Sequence, residues 1–409
     1  MLHLRTIIIV LLGANIFELC QCKNVAENLS EVTSENQSVK YELIFAQIIH
    51  RHGERNVLKA YPNDPYANES YWPGGFGELT KVGKKQLFDL GKYLRQRYQK
   101  LIGPHYSSKK VYIYSTNMDR ALMSAESLAA GMFPPSGDAI WNDELNWQPI
   151  PIHTRDLTKD YLTGSPFFCP RFEQLYNKFC DSPEFKYQSE KHVDFIKYLE
   201  AHAGNISMPL LFQILEMEKE KGLELPIWTR YISHFTNDTM QQILDIHFQA
   251  LTKTKEMQKF GAGFLLKEIL DRFKNKSLSL LQPDRSVWIF SGHDFSILNM
   301  LRTLNLNELQ VPVYASSLYF ELYKGNGSHF VQVFYRRTPT ENVPPPLEIP
   351  NCGTICPLDK FYELYADILP KEYEDFETLC NSAIAMIINH AQCVFALFLT
   401  TMFYYYQSV

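Results

Sequence analysis

Phe45-Ala-Gln-Ile-Ile-His-Arg-His-Gly-Glu-Arg55 begins as an apolar run and ends in two histidines, a glycine and two arginines. The apolar and β-branched residues from 41 to 50 predict a buried strand. Arginine forks bind phosphate oxygens in a planar, bidentate way, and a histidine beside them can act as a nucleophile. The stretch therefore predicts a site in which Arg51, His52 and Arg55 hold a phosphoryl group.

Two later predicted strands also end in polar groups. A strand over 111–114 runs into Ser115-Thr-Asn-Met-Asp-Arg120, and a strand over 287–290 runs into Ser291-Gly-His-Asp294. In an open α/β sheet, ligands bind at the carboxyl ends of the strands. Three strand ends therefore predict a single pocket.

The combined set favours hydrolysis of a phosphate monoester. The side chains predicted to bind the phosphate and its developing charge are Arg51, Arg55, Arg120 and His293. His52 would attack phosphorus and form a phosphohistidine that water hydrolyses. Asp294 would give a proton to the leaving alkoxide, which would produce an acidic pH optimum.

Each role has a structural alternative. Arg120 could pair with Glu126 or Asp119 on its own helix, and Asp294 could cap the helix that follows it. His50 and His52 share one side of the strand, but the adjacent arginines would repel a metal ion. We therefore expect no metal at this pair, with His50 behind the site.

The rest of the chain predicts an α/β domain with an insertion. Helices are expected from Thr80 to about residue 100, over 119–132 and over 296–304, and 317–323 with 329–335 predict a hairpin around Lys324-Gly-Asn-Gly327. From 166 to 283 the periodicity is helical and no strand is convincing. We expect an α/β domain of 41–165 and 284–380 with a mainly helical insertion of 166–283.

Both the charge and the N-terminus limit the function. The 409 residues carry a net charge of −5 without a long basic run, so nucleic acid is an unsuitable partner. Residues 1–22 predict a signal peptide, with an apolar run after Arg5 and a cut before Lys23. Seven glycosylation sequons also predict the secretory pathway. They begin at Asn28, Asn36, Asn68, Asn205, Asn237, Asn275 and Asn326.

The C-terminus and the cysteines leave alternatives open. The mostly apolar tail 383–406 would serve as a membrane span, as a lipid-anchor signal, or as a segment that packs or frays. Six cysteines remain after signal removal and allow 15 pairings. Cys352 and Cys356 are close enough for a local loop, and no nearby Cys/His pair completes a zinc site with them.

The ordered set of motifs resembles the histidine acid phosphatases, which include the prostatic, lysosomal and insect venom enzymes. The similarity runs from about Tyr41 to Cys380. It includes Arg51-His-Gly-Glu-Arg55, Trp72-Pro-Gly-Gly-Phe-Gly-Glu-Leu-Thr80, Asp119-Arg120 and His293-Asp294. The resemblance implies a phosphoglycerate-mutase-like α/β fold, in which helices flank a central mixed sheet and a smaller, mainly helical second domain is inserted.

By position, the resemblance implies that His52 is the nucleophile and Asp294 the proton donor. The phosphate-binding residues fall on Arg51, Arg55, Arg120 and His293. It also implies disulfides between Cys169 and Cys380 and between Cys352 and Cys356, no cofactor, and a homodimer. Cys180 and Cys393 are left without assigned partners.

One departure from the family pattern motivates an alternative function. The usual Arg-x-Pro reads Arg55-Asn56-Val57 here, so the loop lacks a rigid ring. The alternative is a catalytically weak secreted protein that binds phosphate esters, of a venom or salivary type. A cytosolic mutase fits poorly beside a signal peptide and sequons.

Overall fold

The computed structural model describes residues 41–164, 166–234, 238–306, 311–372 and 374–382. The strands are β1 (Glu42–Arg51), β2 (Val111–Ser115), β3 (Val287–Gly292), β4 (Ser317–Gly325), β5 (Ser328–Arg336) and β6 (Cys356–Pro357). The helices are α1 (Lys81–Ile102), α2 (Asp119–Met132), α3 (Pro170–Cys180), α4 (Pro183–Glu190), α5 (Val193–Ala203), α6 (Met208–Glu220), α7 (Asp238–Ala250), α8 (Lys255–Gln258), α9 (Phe264–Ser277), α10 (Asp294–Thr303) and α11 (Leu358–Tyr365).

These strands form one mixed sheet in the order β2-β3-β1-β4-β5-β6. The strands β1, β2 and β3 are parallel, whereas β4, β5 and β6 are joined in antiparallel pairs. The register pairs Ser291 of β3 with both His50 of β1 and Ser115 of β2. The predicted mixed sheet is confirmed, and its three polar strand ends lie level with one another.

Helices cover both faces of the sheet because β1 is apolar on both sides. Ala46 and Ile48 pack with α1 and α2, whereas Phe45 and Ile49 pack with α9 and α10. The helices α1 and α2 lie very close to each other. A Cβ atom on Gly91 would lie 2.0 Å from the backbone oxygen of Leu128, so only glycine fits there.

The described residues between 166 and 283 contain helices and no strand. Helices α5 and α6 share an apolar cluster with Val57, Tyr61 and Trp72, which lie in the loop after β1. Helix α9 belongs instead to the cluster on the sheet, where Phe273 packs against Phe45. The proposed boundaries of the insertion stay a prediction.

The described residues contain two disulfides, Cys169–Cys380 and Cys352–Cys356, as the resemblance implied. Cys180 is a half-buried free cysteine, and Cys393 lies outside the described residues.

Among the described residues, no helix has both the length and the apolarity that a bilayer crossing requires. The predicted signal peptide 1–22 and the tail 383–406 both lie outside the described residues.

Four of the predicted glycosylation sites fall in the described ranges. Asn68, Asn205, Asn275 and Asn326 are all exposed, as an attached glycan requires. Asn28, Asn36 and Asn237 lie outside the described residues.

A pair of buried carboxyl groups joins α6 to the loop after β1. Glu218 has no exposed surface, and the carboxyl group of Asp64 is its side-chain hydrogen-bonding neighbour once one of the two is protonated. Burial, followed by the adjacent Asp64, raises the pKa of Glu218 to about 8. Burial also raises the pKa of Asp64, so the pair is more stable with a bound proton than with both groups ionised.

This pair makes the fold sensitive to alkaline pH. The pKa of Glu218 is higher in the folded than in the unfolded chain, so its contribution is complete below pH 4.5 and is lost as pH rises through about 8. We expect the change in unfolding midpoint caused by Glu218→Gln to be more favourable at pH 9 than at pH 5, by a few degrees. Thermal unfolding at both pH values, with the exposed Glu200→Gln as control, measures this. If the unfolding midpoint changed equally between pH 5 and pH 9 in Glu218→Gln and in the wild type, the role of Glu218 would be contradicted.

Candidate active site

His52 is held immediately after β1 by three elements. Its backbone N–H donates to the Gly292 carbonyl of β3 at 3.0 Å, and its carbonyl accepts from the N–H of Ala315 at 3.1 Å. The next N–H, of Gly53, donates to Ser124 Oγ of α2 at 3.1 Å. A Cβ atom on Gly53 would lie 2.4 Å from the Gly83 carbonyl oxygen, so glycine allows α1 to approach. The imidazole is therefore rigidly placed at the sheet edge.

Hydrogen bonds select one tautomer of His52. Its Nδ1 lies 2.8 Å from the Gly53 carbonyl oxygen, which can only accept, so Nδ1 carries the proton. The Nε–H of Arg120 donates to His52 Nε2 at 3.3 Å. Burial, then the charge of Arg51, holds the pKa of His52 well below its usual value. Nε2 therefore keeps a free electron pair even in acidic solution, as a nucleophile requires.

Arg51 and Arg55 are buried beside His52 and are held mainly by backbone and neutral groups. The Arg51 guanidinium lies 4.1 Å from the centre of the Tyr314 ring. Arg55 donates to the Asn56 carbonyl and to Gln213 Oε1, both at 2.9 Å. The Nε–H groups of both arginines have no partner. Buried donors without acceptors point to an anion as the missing partner.

Arg120 completes the cationic side from the first turn of α2. Besides His52, its guanidinium contacts Met118 Sδ at 3.5 Å. The described residues show no salt bridge from Arg120 to Asp119 or Glu126, so that alternative is not what the structure contains. Burial, then Arg55, lowers the pKa of Arg120 to about 10, which leaves it charged in neutral and acidic solution.

Residues at the start of α10 form the third side of the site. His293 precedes the helix, its ring centre lies 5.4 Å from that of His52, and its Nε2 has no partner. Asp294 Oδ1 accepts from the N–H of Phe295 at 2.8 Å, and Oδ2 lies 3.1 Å from Arg51 Nη2. Asp294 thus meets both the helix N-terminus and an arginine of the site.

The pKa values of this pair describe the site without phosphate. Burial, then Arg120, lowers the pKa of His293 to about 3, so its ring is neutral. Burial raises the pKa of Asp294, but Arg51 and His293 outweigh burial, and the net shift is downward. Asp294 is therefore a carboxylate in the site without phosphate.

All six predicted site residues meet at this edge of the sheet. They are Arg51, His52, Arg55, Arg120, His293 and Asp294. His50 lies behind them, and its Nδ1 contacts the Arg51 carbonyl at 3.1 Å. Within the described ranges, no group of His, Cys, Asp or Glu side chains is arranged to hold a metal ion.

Sequence reasoning missed Gln213 and Tyr314. Gln213 lies on α6, 158 residues from Arg55. No motif or spacing marks either residue, because their roles arise from the packing of α6 and the 311–316 loop on the site.

Asn56 ties down the loop in which the usual proline is missing. Its buried amide donates to the carbonyls of Pro73 and Gly75 at 2.9 and 2.8 Å, and its N–H donates to the Glu78 carbonyl at 2.9 Å. The next residue, Val57, is 1% exposed. Three hydrogen bonds and one buried side chain here restrain the loop that a proline ring would otherwise stiffen.

The family profile named "Histidine phosphatase superfamily (branch 2)" matches residues 42–336. The chain belongs to this family.

Among its relatives, prostatic acid phosphatase of Rattus norvegicus is 37% identical over 340 residues, which cover 81% of this chain and 88% of the relative. Lysosomal acid phosphatase of Homo sapiens is 34% identical over 371 residues, which cover 87% of this chain and 86% of the relative.

Solved structures of the same fold include two enzymes in complex with inositol sulfates. Hafnia alvei phytase in complex with myo-inositol hexakis sulphate has a TM-score of 0.59 at 18% identity, covering 83% of this chain and 98% of that one. Bifidobacterium longum multiple inositol polyphosphate phosphatase, in complex with inositol hexasulfate, has a TM-score of 0.51 at 13% identity. The match covers 83% of this chain and 96% of that one. At these identities the likeness concerns the fold.

The Gln213 contact yields a test of how Arg55 is positioned. Gln213→Leu removes the acceptor of one Arg55 N–H, and a hydrogen bond to a charged group contributes about 1.5–3 kcal/mol. We expect the inhibition constant of inorganic phosphate to rise about tenfold or more. The matched control is Gln174→Leu, which removes an exposed acceptor of an Arg171 N–H on α3 and should leave that constant unchanged. An unchanged constant in Gln213→Leu would contradict the role.

Proposed function

We propose that the protein is an acid phosphatase that hydrolyses phosphate monoesters through a phosphohistidine at His52. The observation that carries the proposal is the orientation of His52. Its Nδ1–H is committed to the Gly53 carbonyl, and its Nε2 faces the cluster of arginines. This arrangement keeps one ring nitrogen unprotonated and directs it to where phosphate oxygens would be bound.

In the first step, the phosphate oxygens bind Arg51, Arg55, Arg120 and His293. Nε2 of His52 attacks phosphorus in line, the bond between phosphorus and the ester oxygen breaks, and the leaving oxygen takes a proton from Asp294. Bound phosphate competes with Asp294 for Arg51 and adds negative charge, which raises the pKa of Asp294. Acidic solution supplies that proton, so activity is expected to be highest at acidic pH.

In the second step, water attacks the phosphorus of the phosphohistidine. The Asp294 carboxylate left by the first step takes a proton from that water, and the bond between phosphorus and Nε2 breaks. Inorganic phosphate leaves and His52 returns to its starting tautomer. The arginines stabilise the charge on the phosphoryl oxygens in both steps, and no metal is needed to neutralise it.

The cellular setting is proposed on sequence features and exposed sites. Residues 1–22 direct the chain into the secretory pathway, and the seven sequons carry glycans, with the exposure of four of their asparagines in support. The helical insertion covers the mouth of the site. The tail 383–406 either attaches the protein to a membrane or packs, and the protein assembles as a homodimer.

His52→Ala removes the nucleophile and should lower kcat for 4-nitrophenyl phosphate by at least about 10³-fold. Steady-state assays near pH 5 measure this, and circular dichroism checks that the variant folds. The alternative, a binder of phosphate esters, predicts that the wild type binds phosphate without turnover in the same assay. Activity retained by His52→Ala would contradict the proposed nucleophile.

Asp294→Asn should affect poor leaving groups far more than good ones. An alkyl alcohol needs a proton to leave, so kcat for an alkyl phosphate should fall about 10²–10⁴-fold. For an aryl ester with an acidic phenol, the rate of the bond-breaking step should fall much less. Single-turnover kinetics of the two ester types compare these effects, and equal losses would exclude Asp294 as the proton donor.

A further inference from the structure

A cavity opens from the phosphate-binding end of the site toward α6 and α7. Its volume is about 460 Å³, and Arg51 and Tyr314 form part of its wall. This volume is within the range of pockets that hold small molecules. Much of the remaining lining is apolar and is contributed by Phe212, Met217, Met240, Leu244, Val311 and Val313.

Two carboxylates give the same wall a negative charge. Glu216 and Glu220 lie four residues apart, on one face of α6, and both line the cavity. Neither forms a salt bridge within the described part of the chain. Burial, then Glu54 and Glu216, raises the pKa of Glu220, as expected where carboxylates are close together. Arg51 is the only cation in the described lining.

The geometry fixes which part of a substrate meets this wall. Arg51 both borders the cavity and has a buried Nε–H without a partner, so a phosphate bound there sits at one end of the cavity. An ester alcohol that leaves the phosphate on the side of Arg51 would extend along the apolar side chains toward Glu216 and Glu220. An ammonium group at its far end would be attracted, and a further phosphate would be repelled.

We propose that this cavity is a leaving-group subsite that selects phosphate monoesters whose alcohol combines an apolar body with an ammonium group. The same charges disfavour polyphosphorylated alcohols, although the phytases share the fold. The inference rests on the proposed function and adds to it the chemical class of the substrate. Its specificity-determining residues are Glu216 and Glu220.

Three aryl phosphates with similar leaving phenols test the subsite. They are 4-(2-aminoethyl)phenyl phosphate, 4-ethylphenyl phosphate and 4-(2-carboxyethyl)phenyl phosphate, which differ in the charge of the para substituent. Because the pKa of Glu220 is raised, kcat/KM is measured at pH 6.5. We expect the cationic ester to be the best substrate and the anionic ester the worst. The difference should shrink at high ionic strength.

The double variant Glu216→Gln/Glu220→Gln should lower the ratio of kcat/KM for the cationic over the neutral ester about tenfold, since each exposed ion pair contributes a factor of about 1.5 to 5. Glu216→Lys/Glu220→Lys should make the anionic ester the better substrate. The control is Glu190→Gln/Glu200→Gln, which removes two exposed charges away from the cavity and should keep the wild-type ratio.

The outcomes separate this inference from the function on which it rests. Equal kcat/KM for the three esters, or an unchanged ratio in the Glu216→Gln/Glu220→Gln variant, overturns the subsite while phosphatase activity stands. Absence of turnover for all three esters in the wild type overturns the proposed function and this inference with it.

Discussion

Mutual repulsion among Arg51, Arg55 and Arg120 is the constraint on which the rest of the site depends. Three guanidinium groups converge on one buried pocket, and within the described residues a single carboxylate, Asp294, forms a salt bridge with one of them. Carbonyls, a glutamine and the Tyr314 ring hold the arginines without neutralising them. The pocket therefore keeps a net positive charge that an incoming phosphate relieves.

Burial, reinforced by that charge, keeps the histidines of the site neutral. His52 and His293 are buried beside cations, so both rings stay neutral where an exposed histidine would be protonated. For His52, neutrality provides a nucleophile. The neutral ring of His293 has a buried Nε2 without a hydrogen-bond partner in the site. One electrostatic arrangement thus prepares the site for an anion and for the acidic medium in which the enzyme is proposed to act.

Much of this could be predicted from the sequence because the reactive groups follow strands. Apart from Gln47, the run Phe45–Ile49 places apolar side chains on both faces, as expected of a central strand between two helical layers, and a parallel register makes neighbouring strand ends coincide. Gln213, Tyr314, Glu216 and Glu220 escaped prediction for the opposite reason. They come from a helix and a loop whose docking depends on packing between distant segments, and local patterns do not encode that packing. The sequence shows that Asn56-Val57 departs from the family's Arg-x-Pro pattern. The hydrogen bonds of Asn56 to the 73–75 turn depend on packing that its neighbours in sequence do not encode.

The most direct test of the central claim is to trap the covalent intermediate. The Asp294→Asn variant lacks the base of the second step, so rapid alkaline quench with a radiolabelled aryl phosphate should leave label on the enzyme. Peptide mapping should then locate the label on Nε2 of His52, at up to one phosphate per site. Label on a different residue, or a variant that hydrolyses the ester without any label, would contradict the proposed phosphohistidine.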